Sequence, residues 1–279
     1  MTIAVTGATG HLGRLAISAL KSRNAPVVAL ARDPGKAADQ GVPTRAFDYT
    51  ALAGHAAALA GIDTLVLISS NDFNDRAGQH KAVIAAAKAA GVGRIIYTSI
   101  LKGDASPMIL AQDHIATEAA ILASGLPYTI LRNGWYTENY TGSLAGAVAA
   151  GALIGASGNG RIASAARADY AEAIAVTAAT EGHAGKIYEL AGDTALTMTE
   201  FATEVSKVVG KPIGYADMPQ AVYAETLVGF GLPAGFAAIL ADSDAQAANG
   251  ALFDDSKTLS GLIGRPTTPV AVTIAAALA

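Results

Sequence analysis

The sequence predicts an α/β protein built around a doubly wound parallel sheet. Short apolar runs typical of strands alternate with Ala-rich helical stretches over about the first 190 residues. Several of these runs are almost wholly apolar, as in parallel strands that helices cover on both faces. Gly61, Gly91 and Gly125 occupy the expected helix ends, where glycine tolerates the left-handed conformation.

Each element of this alternation can be placed on the chain. The strand-like runs are Ile3–Thr6, Val27–Ala31, Thr44–Phe47, Thr64–Ser69, Arg94–Thr98, Tyr128–Leu131 and Lys186–Leu190. The helical stretches cover about 11–22, 50–60, 79–90, 111–124 and 168–180. This βαβ rhythm predicts one sheet with helices on both of its faces.

The rhythm changes after about residue 191. Thr197 and Glu200 match a capping box that opens a helix ending near Val209. A short strand is expected at Ile213–Ala216, followed by helices at Gln220–Val228, Ala234–Ala247, Ser256–Ile263 and Pro269–Leu278. We therefore expect residues 1–190 to form the sheet domain. Residues 191–279 form a small, mostly helical substrate lobe on the sheet's carboxyl edge, with an approximate boundary that interleaving segments would shift.

Composition excludes several classes of protein. Hydrophobic residues make up 52% of the 279 residues and charged residues 15%, which argues against disorder. The net charge of −4 and the lack of a basic cluster disfavour nucleic acid as a partner. The absence of cysteine excludes disulfides and thiolate chemistry, and no H-E-x-x-H spacing suggests a metal site.

The apolar runs are too short to cross a bilayer, which takes roughly 20 residues. The N-terminus lacks the basic lead and long apolar core of a signal peptide. We therefore expect a cytoplasmic protein without a membrane partner. Nothing in the sequence specifies an oligomeric state.

The strongest local signal is a glycine loop between the first strand and the first helix. Gly7, Gly10 and Gly13 form the pattern G-x-x-G-x-x-G. The first glycine allows a tight turn, the second allows a pyrophosphate to approach the backbone, and the third allows close helix packing. The helix N-terminus then offers free N–H groups and a positive dipole end. The pattern predicts a Rossmann-type dinucleotide site; the alternative is a structural turn without a ligand.

The end of the second strand favours NADPH over NADH. An acidic residue there would bind a ribose 2′-hydroxyl, but this strand ends in Arg32, whose guanidinium suits a 2′-phosphate. Lys36 adds positive charge. Asp33 leaves NADH open, although Asp33-Pro34 is better explained as an N-cap with proline at the first helical position.

Polar residues also follow the third and fourth strands. Asp48 either accepts a hydrogen bond from the adenine amino group or caps the next helix, and the two readings are equally favoured. Ser69 and Ser70 lie beside the expected cofactor path and are candidate contacts for the nicotinamide ribose. The alternative is ordinary loop polarity.

Six stretches of the chain resemble the NmrA-like, atypical branch of the short-chain dehydrogenases. Within it they are most similar to the bacterial NAD(P)H:quinone oxidoreductases of the second, flavin-free type. The stretches are Thr6–Gly13, Tyr97–Ser99, Leu131–Tyr140, Ala166–Tyr170, Tyr188–Asp193 and Leu252–Leu259. Many relatives share the glycine loop, whereas residues 132–140 and 252–259 are more specific.

The resemblance implies NADPH-dependent reduction of a quinone, without flavin or metal, and the strand order 3-2-1-4-5-6-7. It implies that the cofactor contacts or pocket lining include Gly7, Thr9, Gly10, His11, Leu12, Gly13, Arg32, Ser69 and Tyr136–Tyr140, with Arg167 approaching the site. Reductases of azo compounds or enones remain alternatives. So does a non-catalytic redox sensor that binds NAD(P), because fold similarity does not determine function.

The chain lacks the Tyr-x-x-x-Lys pair with which ordinary short-chain dehydrogenases donate a proton. The corresponding helix carries His114 and Glu118 at this spacing. Quinone reduction relaxes the need for a strong acid, because hydride transfer gives an aromatic hydroquinone anion that is a weak base. The protein mainly has to hold two planar rings together in a dry cleft.

The segment after the sixth strand supplies groups that suit a planar acceptor. Trp135, Tyr136 and Tyr140 offer aromatic faces, and Asn133 and Asn139 offer hydrogen bonds to a carbonyl or carboxamide. The predicted acceptor pocket comprises Asn133, Trp135, Tyr136, Glu138, Asn139 and Tyr140. The alternative is that Trp135 and Tyr136 are packing residues.

Two histidines need separate interpretation. His114 is a candidate proton donor, since its ordinary pKa lies near 6.5. The blander interpretation is a half-buried residue paired with Glu118 one turn along the helix. His80 is expected to be a solvated residue in the first turn of its helix.

Overall fold

The computed structural model describes all residues from 1 to 279. The strands are β1 (Ile3–Val5), β2 (Val27–Ala31), β3 (Thr44–Ala46), β4 (Thr64–Leu67), β5 (Arg94–Ile100), β6 (Tyr128–Asn133), β7 (Ala152–Gly155), β8 (Lys186–Leu190) and β9 (Gly214–Asp217). The α-helices are α1 (His11–Ser22), α2 (His55–Leu59), α3 (Arg76–Ala89), α4 (Ala111–Ser124), α5 (Glu138–Thr141), α6 (Leu144–Ala150), α7 (Arg167–Ala179), α8 (Met198–Val209), α9 (Gln220–Gly229), α10 (Ala234–Ala248), α11 (Thr258–Ile263) and α12 (Val270–Leu278). Short 3-10 helices cover Pro34–Gln40, Leu52–Gly54 and Gly103–Ala105.

Seven strands form one sheet in the order β3-β2-β1-β4-β5-β6-β8. The pairings from β3 to β6 are parallel. Because β7 belongs to a separate sheet, β8 is the seventh strand of this one, and the expected order is confirmed. Strand order reverses between β1 and β4, where Val5 pairs with Val66. In sheets of this kind ligands bind beyond the carboxyl ends of the strands at such a reversal.

Two compact units divide the chain. The first comprises Met1–Gly103, Asp113–Asn133 and Arg167–Tyr188, and the second comprises Asp104–Gln112, Gly134–Ala166 and Glu189–Ala279. A single boundary near residue 190 does not describe this division. The chain leaves the first unit after β5 and again after β6, because the connections there are long and the second carries α5, α6 and β7.

The first unit has its core between the sheet and the flanking helices. Leu65 and Leu67 of β4 and Tyr97 of β5 are fully buried and pack with Val83 and Ile84 of α3. On α1, the buried face includes Leu12, Ala16 and Leu20, which recur at the spacing of one helical turn, and this helix packs on α7. The apolar strands and amphipathic helices of the sequence thus form the expected doubly wound layers.

The second unit has its own small sheet and helix pairs. Strands β7 and β9 pair in parallel, with Ile154 opposite Ala216. Helix α9 packs on α10, and α8 packs on α12. The predicted capping box is present: the Thr197 hydroxyl accepts from the Glu200 N–H, and the Glu200 carboxylate accepts from the Thr197 N–H.

Three parts of the element prediction differ from the structure. The helix expected over 50–60 is a 3-10 turn followed by the short α2, with Gly54 at the junction. Helix α3 begins at Arg76, earlier than position 79. Helices α5 and α6 and strand β7 were not expected. The strand has only four residues, and its partner β9 lies far along the chain. None of the helices has the length and apolarity that crossing a membrane would take.

Candidate functional site

The turn of the glycine loop is closed by backbone contacts between its glycines. Gly7 has a φ of +59°, and its carbonyl accepts from the Gly10 N–H at 2.9 Å. A Cβ at Gly13 would overlap the Gly7 carbonyl oxygen and stand 2.9 Å from its carbon. Gly10 is the N-cap residue of α1, and no side chain caps the first N–H groups of this helix. The loop therefore presents backbone donors and a helix N-terminus, as an anion site requires.

The other predicted loop residues divide by exposure. Thr9, Gly10 and His11 form an exposed tip, whereas the Leu12 side chain is buried in the core. Only the backbone of Leu12 is therefore suited to meet a ligand. Sequence reasoning missed Arg14, which follows the last glycine. Its guanidinium donates to the Thr9 carbonyl, the Lys36 carbonyl and the Asp39 carboxylate, so it links the loop to the turn after β2.

Arg32 follows β2 directly and is exposed. Asp33 caps the 3-10 turn that follows, since its carboxylate accepts from the Gly35 N–H at 3.0 Å and Pro34 occupies the first helical position. The cap interpretation of Asp33 is confirmed. Because one carboxylate oxygen of Asp33 serves the backbone, Arg32 is the better candidate to meet a ribose substituent. Lys36, on the same turn, is also exposed.

Asp48 follows β3 and closes a local turn with Thr50. One carboxylate oxygen accepts from both the N–H and the hydroxyl of Thr50, at 2.9 Å each. The hydrogen bond from the Thr50 N–H holds the pKa of Asp48 below its usual value, and the charges of Arg32 and His55 add to this effect. The capping alternative for Asp48 is wrong, because the 3-10 helix that follows begins at Leu52 with Ala51 as its N-cap and has no side-chain cap. Contact of Asp48 with adenine stays a prediction.

Ser69 and Ser70 follow β4, and their backbone is held by side chains. The Ser69 N–H donates to the Thr98 hydroxyl at 3.0 Å. The Ser70 N–H donates to His80 Nε2 at 3.0 Å, and Arg76 Nε donates to the Ser70 carbonyl at 2.8 Å. The expectation that His80 is solvated is wrong, because its side chain is fully buried between Ser70 and the hydroxyl of Thr117.

His114 lies on α4 with 7% of its surface exposed. Its Nδ1 is 2.8 Å from the Tyr97 hydroxyl, and the expected pairing with Glu118 is wrong. Burial lowers the pKa of His114 to about 3, and the nearby charge of Arg76 acts in the same direction. At neutral pH the ring is uncharged. It therefore lacks the readily released proton that a general acid needs.

Glu118 serves a different partner on β6. Its carboxylate accepts from Arg132 Nε at 3.0 Å and Nη2 at 2.7 Å, and from the Ser99 hydroxyl at 2.5 Å. Gly103 has a φ of +48° and passes so close to Arg132 that a Cβ there would overlap the guanidinium. In place of Tyr-x-x-x-Lys, α4 thus presents a neutral histidine and an ion-paired glutamate.

Asn133 ends β6 in the first unit and is buried. The backbone that follows it is paired within the second unit. The Ala165 N–H donates to the Trp135 carbonyl, and the Thr137 N–H donates to the Ala165 carbonyl. The Thr137 hydroxyl donates to the Ser164 hydroxyl. These bonds fix residues 135–137 without using the aromatic side chains of Trp135 and Tyr136. Both rings are half-buried.

The remaining predicted acceptor residues lie on α5. Glu138 is half-buried and Asn139 is exposed. Tyr140 packs its ring 5.4 Å from that of Phe201, and burial raises the pKa of its hydroxyl well above the usual value. The Tyr140 ring therefore packs on another ring of the second unit.

Arg167 is the first residue of α7, in the first unit, and is half-buried. Arg167 therefore belongs to the same unit as the glycine loop and Arg32. Its contact with the cofactor stays a prediction. No group of histidine and carboxylate side chains in the structure is arranged to hold a metal ion.

Comparison with known proteins agrees with the nucleotide binding that the glycine loop predicts. Residues 7–181 match the model of the NAD(P)H-binding family. The chain is 51% identical over 277 residues to quinone oxidoreductase 2 of Escherichia coli, covering 98% of this chain and 97% of that protein.

Two solved structures are similar over nearly their whole length. The NADPH-dependent quinone oxidoreductase of Escherichia coli complexed with NADPH superposes with a TM-score of 0.96 at 50% identity, covering 99% of this chain and 100% of that chain. The triphenylmethane reductase of Citrobacter complexed with NADP(H) superposes with a TM-score of 0.93 at 36% identity, covering 99% of each chain.

Proposed function

Because the chain belongs to the NAD(P)H-binding family, we propose that it is an NADPH-dependent quinone oxidoreductase. The observation that carries this function is 51% identity, over 98% of the chain, to a quinone oxidoreductase. The reaction transfers hydride from NADPH to a quinone, giving NADP⁺ and a hydroquinone anion, which takes a proton from water.

The residues of the first unit fit the reduced dinucleotide. A Cβ at Gly13 would overlap the loop, and a Cβ at Gly10 would stand 3.2 Å from the Gly7 carbonyl oxygen, so both positions keep the backbone open. The loop and the N-terminus of α1 bind the diphosphate. Arg32 binds the 2′-phosphate through paired, charge-assisted hydrogen bonds. When bound, the nicotinamide supplies the hydride.

The environment of α4 supports a reaction that needs no strong acid. Burial lowers the pKa of His114 to about 3 and raises that of its partner Tyr97 above the usual value. Neither group is poised to exchange a proton near neutral pH, which is where acid catalysis works best. A hydroquinone anion is a weak base, so water suffices to protonate it.

The acceptor contacts belong to the segment after β6. The half-buried rings of Trp135 and Tyr136 suit the face of a planar acceptor. Asn133, Glu138 and Asn139 are the polar residues proposed to orient its oxygens. Tyr140 stays in this group as a predicted pocket residue, with its ring packed on Phe201 and its hydroxyl buried.

A second acceptor class is supported by one observation. The triphenylmethane reductase of Citrobacter is 36% identical over 99% of the chain. A triphenylmethane dye is a cation with conjugated aromatic rings, and its reduction by hydride needs no proton. The same aromatic segment would suit it, so the dye is the alternative substrate that a test should include.

The test is NADPH oxidation by the purified protein, with and without a small benzoquinone, repeated with NADH and with a triphenylmethane dye. We expect turnover that depends on the quinone, forms one hydroquinone for each NADPH consumed and needs no added flavin or metal. NADPH binding without turnover on any acceptor would contradict the enzyme function and favour the redox sensor. Faster turnover of the dye than of every quinone tested would make the dye the preferred substrate.

A further inference from the structure

Residue Ser70, three positions beyond the end of the central strand β4, is bonded by three side chains of one helix. His80 accepts from its N–H, Arg76 donates to its carbonyl, and its hydroxyl donates to Gln79 Oε1 at 3.1 Å. We name Arg76, Gln79 and His80 the α3 clamp. The bonds to the N–H and the carbonyl of Ser70 hold the two peptide planes on either side of its Cα.

The hydrogen bonds determine the state of His80. Its Nε2 accepts from a backbone N–H and therefore carries no proton, so Nδ1 carries it and donates to the Thr117 hydroxyl at 2.9 Å. The Thr117 hydroxyl in turn donates to the Asp113 carbonyl at 2.7 Å. Burial lowers the pKa of His80 to about 3, in agreement with a neutral ring. Every donor in this chain of bonds has one acceptor.

Arg76 is unusual for a charged residue because only 3% of its surface is exposed. Its guanidinium lies 4.6 Å from the centre of the Phe73 ring, and its nearest carboxylate is Asp113 at 4.0 Å. Burying an arginine with so distant an anion costs stability. Its Nε is nevertheless kept at the Ser70 carbonyl, 2.8 Å away.

The clamp borders open space. Gln79 and Asp72 line a cavity of about 390 Å³ together with Tyr49, whose hydroxyl donates to the Ile68 carbonyl at 2.6 Å. Residues 68–70 are thus held on one side by α3 and on another by Tyr49. The segment that leaves β4 at the strand-order reversal has its conformation determined before any ligand arrives.

We propose that Arg76 and His80 are positioning residues that hold the backbone of Ser69 and Ser70 in the conformation that receives NADPH. This inference rests on the proposed function. A segment that is already ordered loses less conformational entropy on binding, so the clamp increases affinity for the cofactor without touching it. Neither residue takes part in hydride transfer.

The test compares two substitutions at one position. His80→Gln keeps an acceptor for the Ser70 N–H, whereas His80→Leu fills the space but removes the acceptor of this half-buried N–H. We expect His80→Leu to weaken NADPH binding about tenfold, while His80→Gln stays within about threefold of the wild type. At saturating NADPH, the kcat and the KM for quinone should stay unchanged in both variants.

Val83→Ala is the matched control, because Val83 is fully buried on the same helix and contacts the core rather than Ser70. It should lower the Tm and leave NADPH affinity unchanged. Hydrogen exchange at residues 68–72 supplies a readout that needs no activity. Exchange there should be faster in His80→Leu than in Val83→Ala. If His80→Leu does not fold, Arg76→Met replaces it, with the same expected loss.

The results separate the two proposals. A wild type that binds no NADPH overturns the proposed function. A wild type that binds NADPH, together with His80→Leu of equal affinity and equal hydrogen exchange, overturns the clamp alone. Equal losses of affinity in Val83→Ala and His80→Leu would also overturn it, since the effect would then follow from general destabilisation.

Discussion

The two segments that leave neighbouring strands of the first unit are held in opposite ways. After β1, the glycine loop is formed by backbone contacts, with Gly7 at a φ of +59° and the Gly13 backbone close against the Gly7 carbonyl. After β4, the chain at Ser70 is held by side chains of α3. The turn at Gly7, Gly10 and Gly13 depends on the absence of side chains at the glycines, although Arg14 also bonds the Thr9 carbonyl. The segment at Ser70 depends on particular side chains being present.

This difference determines what each site tolerates. A backbone-formed loop excludes every side chain at its contact positions, so one added methyl group changes the whole loop. A side-chain-held segment depends on separate hydrogen bonds, so replacing one partner should remove only that partner's contribution. Loss of function should therefore be abrupt in the glycine loop and graded in the segment after β4.

The largest expected effect is that of Gly13→Ala. The added Cβ would overlap the Gly7 carbonyl oxygen, and backbone cannot move aside as a flexible side chain can. We expect no measurable NADPH binding, together with a decrease of about 1–3 kcal/mol in the free energy of unfolding. Isothermal titration and urea denaturation measure the two quantities.

Gly54→Ala is the control, since a Cβ at Gly54 meets no atom within 4 Å and its φ is negative. It should bind NADPH as the wild type does. Normal NADPH binding by Gly13→Ala would show that the loop moves freely, and the contrast with the segment after β4 would then disappear.

The same contrast explains which parts of the site could be predicted from the sequence. Gly7, Gly10 and Gly13 stand at fixed spacing after a buried strand, so a local pattern was enough to identify the loop. The cap at Asp33 and the capping box at Thr197 were equally local. Strand order followed from the family resemblance, whose motifs extend along most of the chain.

Long-range contacts account for what was missed. His80 was expected in solvent because nothing near it in sequence shows that Ser70 and Thr117 lie on either side of its ring. Glu118 was assigned to His114 one turn away, whereas its partner Arg132 comes from the next strand. Strand β7 and the interleaved units likewise depend on pairing between distant segments, as of Ala152 with Gly214. Sequence periodicity contains no information on such contacts.

A smaller and more selective effect is expected for Arg32→Ala. Arg32 is an exposed single side chain, so its loss should leave the loop intact and remove only its bonds to the 2′-phosphate. Hydrogen bonds to charged groups contribute about 1.5–3 kcal/mol, so NADPH affinity should fall about 10- to 100-fold. NADH affinity should change less than about twofold, because NADH has no phosphate for Arg32 to bind.

Arg161→Ala is the control for general loss of positive charge, since Arg161 is an exposed arginine of the second unit. It should leave the preference for NADPH unchanged. Equal losses of NADPH and NADH affinity in Arg32→Ala would contradict the assignment of Arg32 to the 2′-phosphate.

The smallest effect tests whether a side chain that accepts a backbone hydrogen bond also makes the stability of the protein depend on pH. In the second unit, Asp244 accepts from the Ala156 N–H at 2.6 Å, as His80 accepts from Ser70. Burial raises the pKa of Asp244 to about 6, and the Asp217 carboxylate adds to the rise. The folded protein therefore keeps this proton between about pH 4 and pH 6, where the unfolded chain releases it, and the free energy of unfolding falls as pH rises through that range.

Asp244→Asn removes this dependence and keeps an oxygen acceptor for Ala156. Between pH 4 and pH 7 the wild type should lose about 1–3 kcal/mol of stability relative to the variant, given about 1.4 kcal/mol per pKa unit. Urea denaturation at each pH measures the difference, with Asp255→Asn as an exposed carboxylate control in the same unit. A difference that does not change with pH would mean that Asp244 is ionised throughout. The neutral acceptor His80 and the acidic acceptor Asp244 would then hold backbone in the same pH-independent way.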